Sequence, residues 1–178
     1  GNLVVSDVFP LVERVDKEQL LGLAASAEAY SEHPLAKAIL AYAKEQQIII
    51  ENVSDFQMLP GKGITAVIHS QTLICGTLSF LKEKNIRIDD AVVITLDRFR
   101  AQGKAIILVA KEKSLIGVIT LSDTLRDSAS AMVMELHNMN AQVVLLTGDH
   151  AHTARYFAEK VGIQTIKAEL LPVDKVSS

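Results

Sequence analysis

The sequence is poor in several residue types that mark particular classes of protein. Its single cysteine, Cys75, cannot form an internal disulfide, so we expect a reducing, cytoplasmic setting. Tryptophan is absent and aromatic residues make up 4% of the chain, which speaks against a carbohydrate-binding cleft. Four prolines are too few for a linker-rich architecture. We find no internal repeat, no low-complexity segment and no secretory signal.

The chain also lacks a basic excess and a long apolar run. Eighteen Lys and Arg against 21 Asp and Glu leave a formal charge of −3, which argues against a nucleic-acid partner. The longest apolar runs, such as residues 106–110 and 143–146, are far shorter than the roughly 18 residues of a spanning helix. We therefore expect a soluble chain. With 49% hydrophobic residues in 178, it can bury one large or two small cores.

Two amphipathic helices are predicted on either side of residues 28–34. Apolar residues recur at helical spacing before and after this stretch, which predicts one helix over residues 17–29 and another that begins at Pro34. The apolar positions are Leu20, Leu23, Ala24 and Ala27 in the first helix, and Leu35, Ala38, Ile39, Tyr42 and Ala43 in the second. Proline suits a first helical position because its missing N–H has no partner there.

In the rest of the N-terminal part of the chain, up to about residue 111, apolar residues recur mostly at every second position over short stretches, which is typical of β-strands. A strand is predicted at residues 2–9, and three more at 53–59, 64–68 and 72–75 suggest an antiparallel meander. Further elements follow in order: helices at 78–84 and 90–101, and strands at 105–110 and 115–121 joined by a polar turn. The first part is thus α+β.

Beyond about residue 112 the pattern alternates between apolar strands and helices. The predicted order is strand, helix (127–139), strand (142–146), helix (151–161) and short strand (165–167). Such βαβαβ alternation indicates a parallel sheet covered on both faces, so the second part is α/β. The boundary is predicted near residues 111–114.

His33 lies directly before the second helix. The positive end of a helix dipole disfavours an imidazolium, so we expect a neutral ring that can stack on a purine and accept a hydrogen bond. The alternative is that His33 is a helix cap, or a partly buried ring bonded to backbone.

A second candidate site follows the strand at residues 142–146. Ligands of open α/β sheets bind at such carboxyl ends, and the Thr147 hydroxyl, with backbone N–H groups around Gly148, can donate to phosphoryl oxygens. The alternative is that Thr147 and Asp149 only form a turn that caps the next helix.

Other conspicuous residues carry weaker signals. The spacing of Gly61-Lys62-Gly63 excludes a Walker motif, and its glycines allow either close approach to a ligand or a β-bulge. Lys62 is interpreted as solvated, and Cys75 as a small buried strand residue. The histidines show no ligand spacing, so no metal site is assigned.

In order and spacing, five stretches resemble the heavy-metal-transporting P-type ATPases. They are Ser31-Glu32-His33-Pro34, Gly61-Lys62-Gly63, Ser122-Asp123-Thr124-Leu125-Arg126, Thr147-Gly148-Asp149-His150 and Leu171-Pro172-Val173-Asp174-Lys175. The first marks the heavy-metal branch, whereas the Thr-Gly-Asp and Lys elements are shared with the wider haloacid-dehalogenase-like superfamily. The resemblance implies an antiparallel-sheet nucleotide-binding domain at residues 1–111. Part of a haloacid-dehalogenase-like (Rossmann-like) phosphorylation domain would follow at 112–178.

The resemblance also implies the roles of particular residues toward ATP. Glu28 and His33 would contact or orient the adenine, and a carboxylate at Glu28 can accept a hydrogen bond from the adenine amino group. Three glycines, Gly61, Gly63 and Gly76, would line the nucleotide cleft. The family usually has Asn after the last of these, where this chain has Thr77.

On the phosphate side, Thr147 would hold the transferred phosphoryl group and Lys175 would neutralise it. Asp123 would support the phosphorylation site. The family's Asp-Lys-Thr-Gly-Thr nucleophile motif and its magnesium-binding Gly-Asp-Gly-x-Asn-Asp motif are absent, and in the family they lie just before residue 1 and just beyond residue 178. We therefore expect an excised piece that cannot itself turn over ATP, with most of the Mg²⁺ site outside it.

The expected partners are ATP and the remainder of the same polypeptide: the rest of the phosphorylation domain, the actuator domain and membrane helices. This would place the chain at the cytoplasmic face of a membrane. His150 and the sequence of residues 168–172, Ala-Glu-Leu-Leu-Pro, resemble zinc, cadmium or cobalt pumps more than copper pumps, which favours one of those three ions over copper as the transported ion. Two alternatives are a haloacid-dehalogenase-like phosphatase, which lacks an Asp-x-Asp nucleophile here, and a non-enzymatic interaction domain.

Overall fold

Residues 2–124 are described by the structure, a computed structural model. They form six strands and four helices. The strands are β1 (Leu3–Pro10), β2 (Ser54–Leu59), β3 (Gly63–Ile68), β4 (Gln71–Gly76), β5 (Ala105–Lys111) and β6 (Ser114–Asp123). The helices are α1 (Lys17–Glu28), α2 (Pro34–Glu45), α3 (Leu78–Glu83) and α4 (Asp90–Ala101).

All six strands belong to one antiparallel sheet with the order β1-β6-β5-β4-β3-β2. Strands β2 to β6 follow one another as a meander, in which each strand pairs with the next. Strand β1 then pairs with β6, the last strand, so that the first and last described segments lie side by side.

The helices cover both faces of this sheet. Period-two alternation sends neighbouring residues of a strand to opposite faces: on β4, Cys75 packs in the core that contains α1 and α2, whereas Ile74 packs in the core that contains α3 and α4. Of these helices, α1 packs directly on β3 and β4. Helix α1 therefore lies over the strands that carry Gly63 and Gly76.

Side chains at the helix starts explain where three of the helices begin. Asp16 forms a capping box with Gln19 at the start of α1. Pro34 is the first residue of α2, as predicted, and His33 caps it. The Thr77 hydroxyl accepts a hydrogen bond from the backbone N–H of Phe80 and so caps α3.

The predicted antiparallel sheet with flanking helices is confirmed, and the predicted elements up to residue 121 are all present with small changes at their ends. One expectation is wrong. Residues 115–121 were predicted to begin the parallel sheet of the second domain, but β6 pairs antiparallel with both β1 and β5. The boundary predicted at residues 111–114 consequently falls in the turn between β5 and β6, inside one sheet. The remaining elements of the predicted parallel sheet lie outside the described residues.

Among residues 2–124, no helix has both the length and the apolar character that a bilayer span requires.

Candidate functional site

The turn between α1 and α2 is held by Ser31. Its backbone N–H donates to the carbonyl oxygen of Glu28 at 2.9 Å, and its hydroxyl oxygen accepts the backbone N–H of His33 at 3.2 Å. The same hydroxyl donates to Sδ of Met58 on β2 at 3.7 Å. Ser31 is buried, so these bonds are shielded from competing water. The turn is thereby fixed both to the helix before it and to an edge strand.

His33 presents its ring at the surface while one ring nitrogen is engaged. Nδ1 accepts the backbone N–H of Leu35 at 3.1 Å, which satisfies one of the free donors at the start of α2. With Nδ1 as the acceptor, the neutral ring carries its proton on Nε2. Since the residue is exposed, Nε2 and the ring faces stay accessible to a ligand. The alternative of a helix cap is thus observed, and the capping ring still presents Nε2 and its faces at the surface.

Glu28 ends α1 and is 5% exposed. Burial raises the pKa of its carboxyl group from 4.5 to about 7, because the charged form loses its hydration. None of residues 2–124 donates a hydrogen bond to the carboxyl oxygens. Buried carboxyl groups with such perturbed pKa values concentrate at functional sites.

Cys75 lies on β4 close enough to Glu28 for the two groups to interact electrostatically. Burial raises the pKa of the Cys75 thiol well above its usual range, and the Glu28 carboxylate raises it further. The thiol is therefore neutral and inert. This agrees with the interpretation of Cys75 as a small buried strand residue, and it indicates that the Glu28 carboxyl group is near β4.

Gly63 and Gly76 are opposite each other in the β3–β4 pairing. A Cβ atom on Gly63 would lie 2.2 Å from the carbonyl oxygen of Cys75, and one on Gly76 would lie 2.4 Å from the carbonyl oxygen of Lys62. Both distances are too short for any side chain. Gly63 also has φ +149°, a conformation that favours glycine. The two glycines are thus required by the approach of the strands to each other.

Gly61 differs from the other two glycines. It has φ +76° and is exposed, and a Cβ atom there would meet nothing within 4 Å. Its backbone therefore faces open space, at a turn closed by the hydrogen bond from Lys62 N–H to the Leu59 carbonyl. Of the three predicted cleft glycines, Gly61 is the one whose bare backbone is available to a ligand.

Side chains around the glycine turn have partners that the sequence did not reveal. Lys62 was interpreted as solvated, and it is exposed, but its ammonium group contacts both carboxylate oxygens of Glu83 at 3.1 and 3.2 Å. Thr77 is the residue that follows Gly76, and its hydroxyl caps α3. The backbone N–H of Thr77 donates to the Lys62 carbonyl at 3.0 Å, which ties the start of α3 to the turn.

An exposed apolar edge flanks the α1–α2 turn. Tyr30 is 62% exposed and its ring meets that of Phe56 edge-on, with centroids 5.7 Å apart. Met58, the sulfur partner of Ser31, is 53% exposed on the same strand as Phe56. None of these three residues was predicted to have a role in the site. A tyrosine beside the Ser-Glu-His-Pro stretch was visible, but nothing in the sequence located β2 next to it.

The structure brings some of the predicted site residues together and separates one from them. Glu28 and His33 are the two ends of one six-residue segment between α1 and α2. Glu28 also interacts electrostatically with Cys75, the residue before Gly76, which pairs with Gly63. Asp123 ends β6, which is separated from β4 by β5, so it lies apart from this group. Thr147 and Lys175 lie outside the described residues.

Comparison with known proteins gives a consistent result. The family model "Hydrolase: haloacid dehalogenase-like hydrolase" matches residues 1–176. The chain is 40% identical over 169 residues to a copper-exporting P-type ATPase of Staphylococcus saprophyticus, which covers 94% of this chain and 21% of that protein. A copper-exporting P-type ATPase of Staphylococcus aureus (strain Newman) is 38% identical over 159 residues, with coverages of 89% and 20%. The chain spans about a fifth of the length of these curated relatives.

Solved structures of the same kind resemble the fold. The N-domain of HMA8, a copper-transporting P-type ATPase, matches with a TM-score of 0.56 and 26% identity, over 65% of this chain and 97% of that one. A zinc-transporting PIB-type ATPase matches with a TM-score of 0.61 and 26% identity, over 78% of this chain and 22% of that one. The described sheet and helices therefore correspond to an N-domain of this class.

Proposed function

The chain belongs to the haloacid dehalogenase-like hydrolase family and resembles its P-type ATPase branch, and from this premise we propose that it is the ATP-binding cytoplasmic part of a heavy-metal-transporting P-type ATPase. In the parent protein, ATP hydrolysis would drive cation transport across a membrane. The chain would lie at the cytoplasmic face.

One observation carries this proposal. A buried carboxyl group and an exposed imidazole lie at the two ends of a single short turn, and α1, which ends at that carboxyl group, packs on the strands with the paired glycines. An aromatic ring face with a nearby hydrogen-bonding group is the combination that holds a purine base. If His33 only capped α2, there would be no reason for a buried carboxyl group at the other end of the same turn.

Each residue of this group has a distinct proposed role. His33 stacks on the adenine, and its Nδ1 bond to Leu35 fixes the ring in place. Glu28 hydrogen-bonds to the edge of the base. Gly61 offers open backbone to the nucleotide, whereas Gly63 and Gly76 act indirectly, because their close contact sets the shape of the turn on which Gly61 lies.

The phosphate side of the reaction is proposed for residues beyond the described range. Thr147 would hold the phosphoryl group, Lys175 would neutralise its charge, and Asp123 would have a supporting role from the end of β6. Residues 2–124 contain no group of three His, Cys, Asp or Glu side chains that could hold a metal ion. The described residues thus do not fit a Mg²⁺ site, and its ligands would come from the phosphorylation domain.

The sheet pairing also bears on the proposed domain organisation. The nucleotide-binding domain was predicted to end at residue 111. Since β6 lies between β1 and β5, we propose that this domain extends to Asp123 at the end of β6. The partial phosphorylation domain would then follow, and the rest of it, the actuator domain and the membrane helices would complete the parent polypeptide.

The identity of the transported ion is supported by less evidence than membership of the family. The expectation of zinc, cadmium or cobalt rested on His150 and neighbouring residues, which lie outside the described range. It is not confirmed, since the two curated relatives described above are named as copper exporters. Among the similar structures, one transports copper and one zinc by name. We therefore propose a heavy-metal cation, with copper favoured by the curated relatives.

Calorimetric titration of ATP into the 178-residue chain tests the proposal. We expect saturable binding of ATP. Ribose phosphate at the same concentration should not displace the ATP, because the adenine base provides the recognition. The phosphatase alternative instead predicts hydrolysis of p-nitrophenyl phosphate with Mg²⁺. Absence of nucleotide binding in a folded sample would favour the interaction-domain alternative and reject the proposal.

A further inference from the structure

Glu28 is held in surroundings that favour its uncharged form. It is 5% exposed, it receives no hydrogen bond from residues 2–124, and it is the last residue of α1. The C-terminal end of a helix carries a partial negative charge, which disfavours a carboxylate there. Burial of the side chain also disfavours the carboxylate, because the charged form loses its hydration. These two effects act in the same direction.

The elements packed against α1 supply no cation to offset them. These are β1, β3, β4 and α2. On β4 the ionisable group facing Glu28 is the neutral Cys75 thiol, and β3 has no ionisable residue. Asp7 of β1 is near Lys17, at the opposite end of α1. The ionisable side chains of α2 are Lys37, Tyr42, Lys44 and Glu45, with His33 as its cap.

None of these groups favours the charged form of Glu28. The two lysines of α2 and Glu45 are exposed, and Tyr42 is half-buried. Nδ1 of His33 accepts the Leu35 N–H, so this ring nitrogen donates no hydrogen bond to Glu28. Burial accounts for the rise in the pKa of Glu28 to about 7.

The protonation state decides which base edge the carboxyl group can read. A protonated carboxyl group has one O–H donor and one carbonyl acceptor, whereas a carboxylate has acceptors only. The Watson–Crick edge of adenine offers an amino donor beside the N1 acceptor, so it pairs with the protonated form. The edge of guanine offers N–H donors at N1 and at the 2-amino group, so it pairs with the carboxylate.

We propose that Glu28 binds adenine as a neutral acid, its hydroxyl donating to N1 and its carbonyl oxygen accepting from the 6-amino group, and that this state selects ATP over GTP. The inference rests on the proposed adenine site and adds to it the basis of nucleotide selectivity. It makes selectivity depend on pH, with the preference for ATP greatest when Glu28 is protonated.

The test compares ATP and GTP affinities of the 178-residue chain by calorimetry at pH 6 and pH 8.5. The two nucleotides have the same triphosphate, so the ratio of their affinities removes the titration of the phosphates. We expect the preference for ATP to fall at least about tenfold over this range, as a group with a pKa about 7 loses most of its proton. The wild-type series alone decides the question without any variant.

Two variants sharpen the test. Glu28→Gln keeps one donor and one acceptor but cannot ionise, so at pH 8.5 it should prefer ATP about tenfold more strongly than the wild type. Glu45→Gln makes the same change at an exposed glutamate that ends α2, and should follow the wild-type pH profile. The ¹³C shift of the Glu28 carboxyl carbon reports its titration directly in the absence of nucleotide.

A constant ATP preference from pH 6 to 8.5 in the wild type would overturn the inference. So would loss of ATP preference in Glu28→Gln at pH 6, since that would require a carboxylate. These outcomes leave ATP binding intact, and so they differ from failure of the proposed function, in which the wild type binds neither nucleotide at either pH.

Discussion

Gly63 and Gly76 contact each other across β3 and β4 so closely that neither position has room for a side chain. The added Cβ atoms would meet backbone oxygens at 2.2 and 2.4 Å. Backbone cannot move aside as the end of a flexible side chain can. These glycines are therefore required for the pairing of β3 with β4. Any effect that they have on the site is indirect and results from that pairing.

Alanine substitutions separate the roles of the three glycines. We expect Gly63→Ala and Gly76→Ala to lower the free energy of unfolding by about 2–4 kcal/mol, because strand pairing must distort. Gly61→Ala should cost only about 1 kcal/mol, from its positive φ, since the space beside it is open. Urea unfolding followed by circular dichroism measures all three. Equal losses at Gly61 and Gly63 would contradict this distinction.

Glu28 should make stability depend on pH. Its folded pKa of about 7 lies above the ordinary 4.5, so the folded state binds the proton more tightly than the unfolded state. The contribution of this group to stability is therefore greatest below pH 4.5, decreases as the pH rises to 7, and is constant above that.

Glu28→Gln should remove that dependence. Relative to the wild type, it should gain about 2–3 kcal/mol of unfolding free energy between pH 5 and pH 8. Urea unfolding at several pH values measures the difference, and Glu45→Gln provides the exposed control. Parallel pH profiles for Glu28→Gln and the wild type would show that the carboxyl group is not held in its neutral form.

His33 has two roles, and two substitutions distinguish them. Asparagine is a good N-cap, so His33→Asn should keep stability within about 0.5 kcal/mol while removing the ring. Since stacking of a base on an aromatic side chain contributes about 1–3 kcal/mol, ATP affinity should fall about tenfold. His33→Ala should lose the same affinity and about 1 kcal/mol of stability as well. Calorimetry and urea unfolding give the two quantities. Unchanged ATP affinity in His33→Asn would mean that the imidazole only caps α2.

Thr77 should behave as a cap of α3. Thr77→Ala removes the acceptor for the Phe80 N–H and should cost about 1 kcal/mol of stability. Thr77→Asn, which restores the residue usual in the family, keeps an acceptor and should cost little. Thermal unfolding of both variants checks this, and equal melting temperatures for Thr77→Ala and the wild type would be inconsistent with the cap.

Local patterns in the sequence predicted most of the described elements because their causes are local. Helical spacing and Pro34 define the start of α2, and alternation with turn residues defines β3 and β4. The pairing of β6 with β1 depends on contacts between segments more than a hundred residues apart, and periodicity carries no information about such partners. For this reason residues 115–121 were predicted as the first strand of a parallel sheet, although β6 pairs antiparallel with β1 and β5.

The site was predicted in part for a similar reason. The residue types and spacing of the Ser-Glu-His-Pro stretch indicated His33 and, through the family resemblance, Glu28. Neither the burial of Glu28 nor its position over Cys75 could be predicted, because both result from packing of α1 on the sheet. The same holds for Met58, which meets Ser31 only once β2 lies at the sheet edge.

The central claim is that the turn from Glu28 to His33 and the Gly61 turn together bind the adenine nucleotide. Amide chemical shifts recorded during an ATP titration of the 178-residue chain test it most directly. We expect saturable shifts at residues 28–33 and 61–63, and no comparable shifts in α4 on the opposite face of the sheet. Shifts confined to other parts of the chain, or none at saturating ATP in a folded sample, would contradict it.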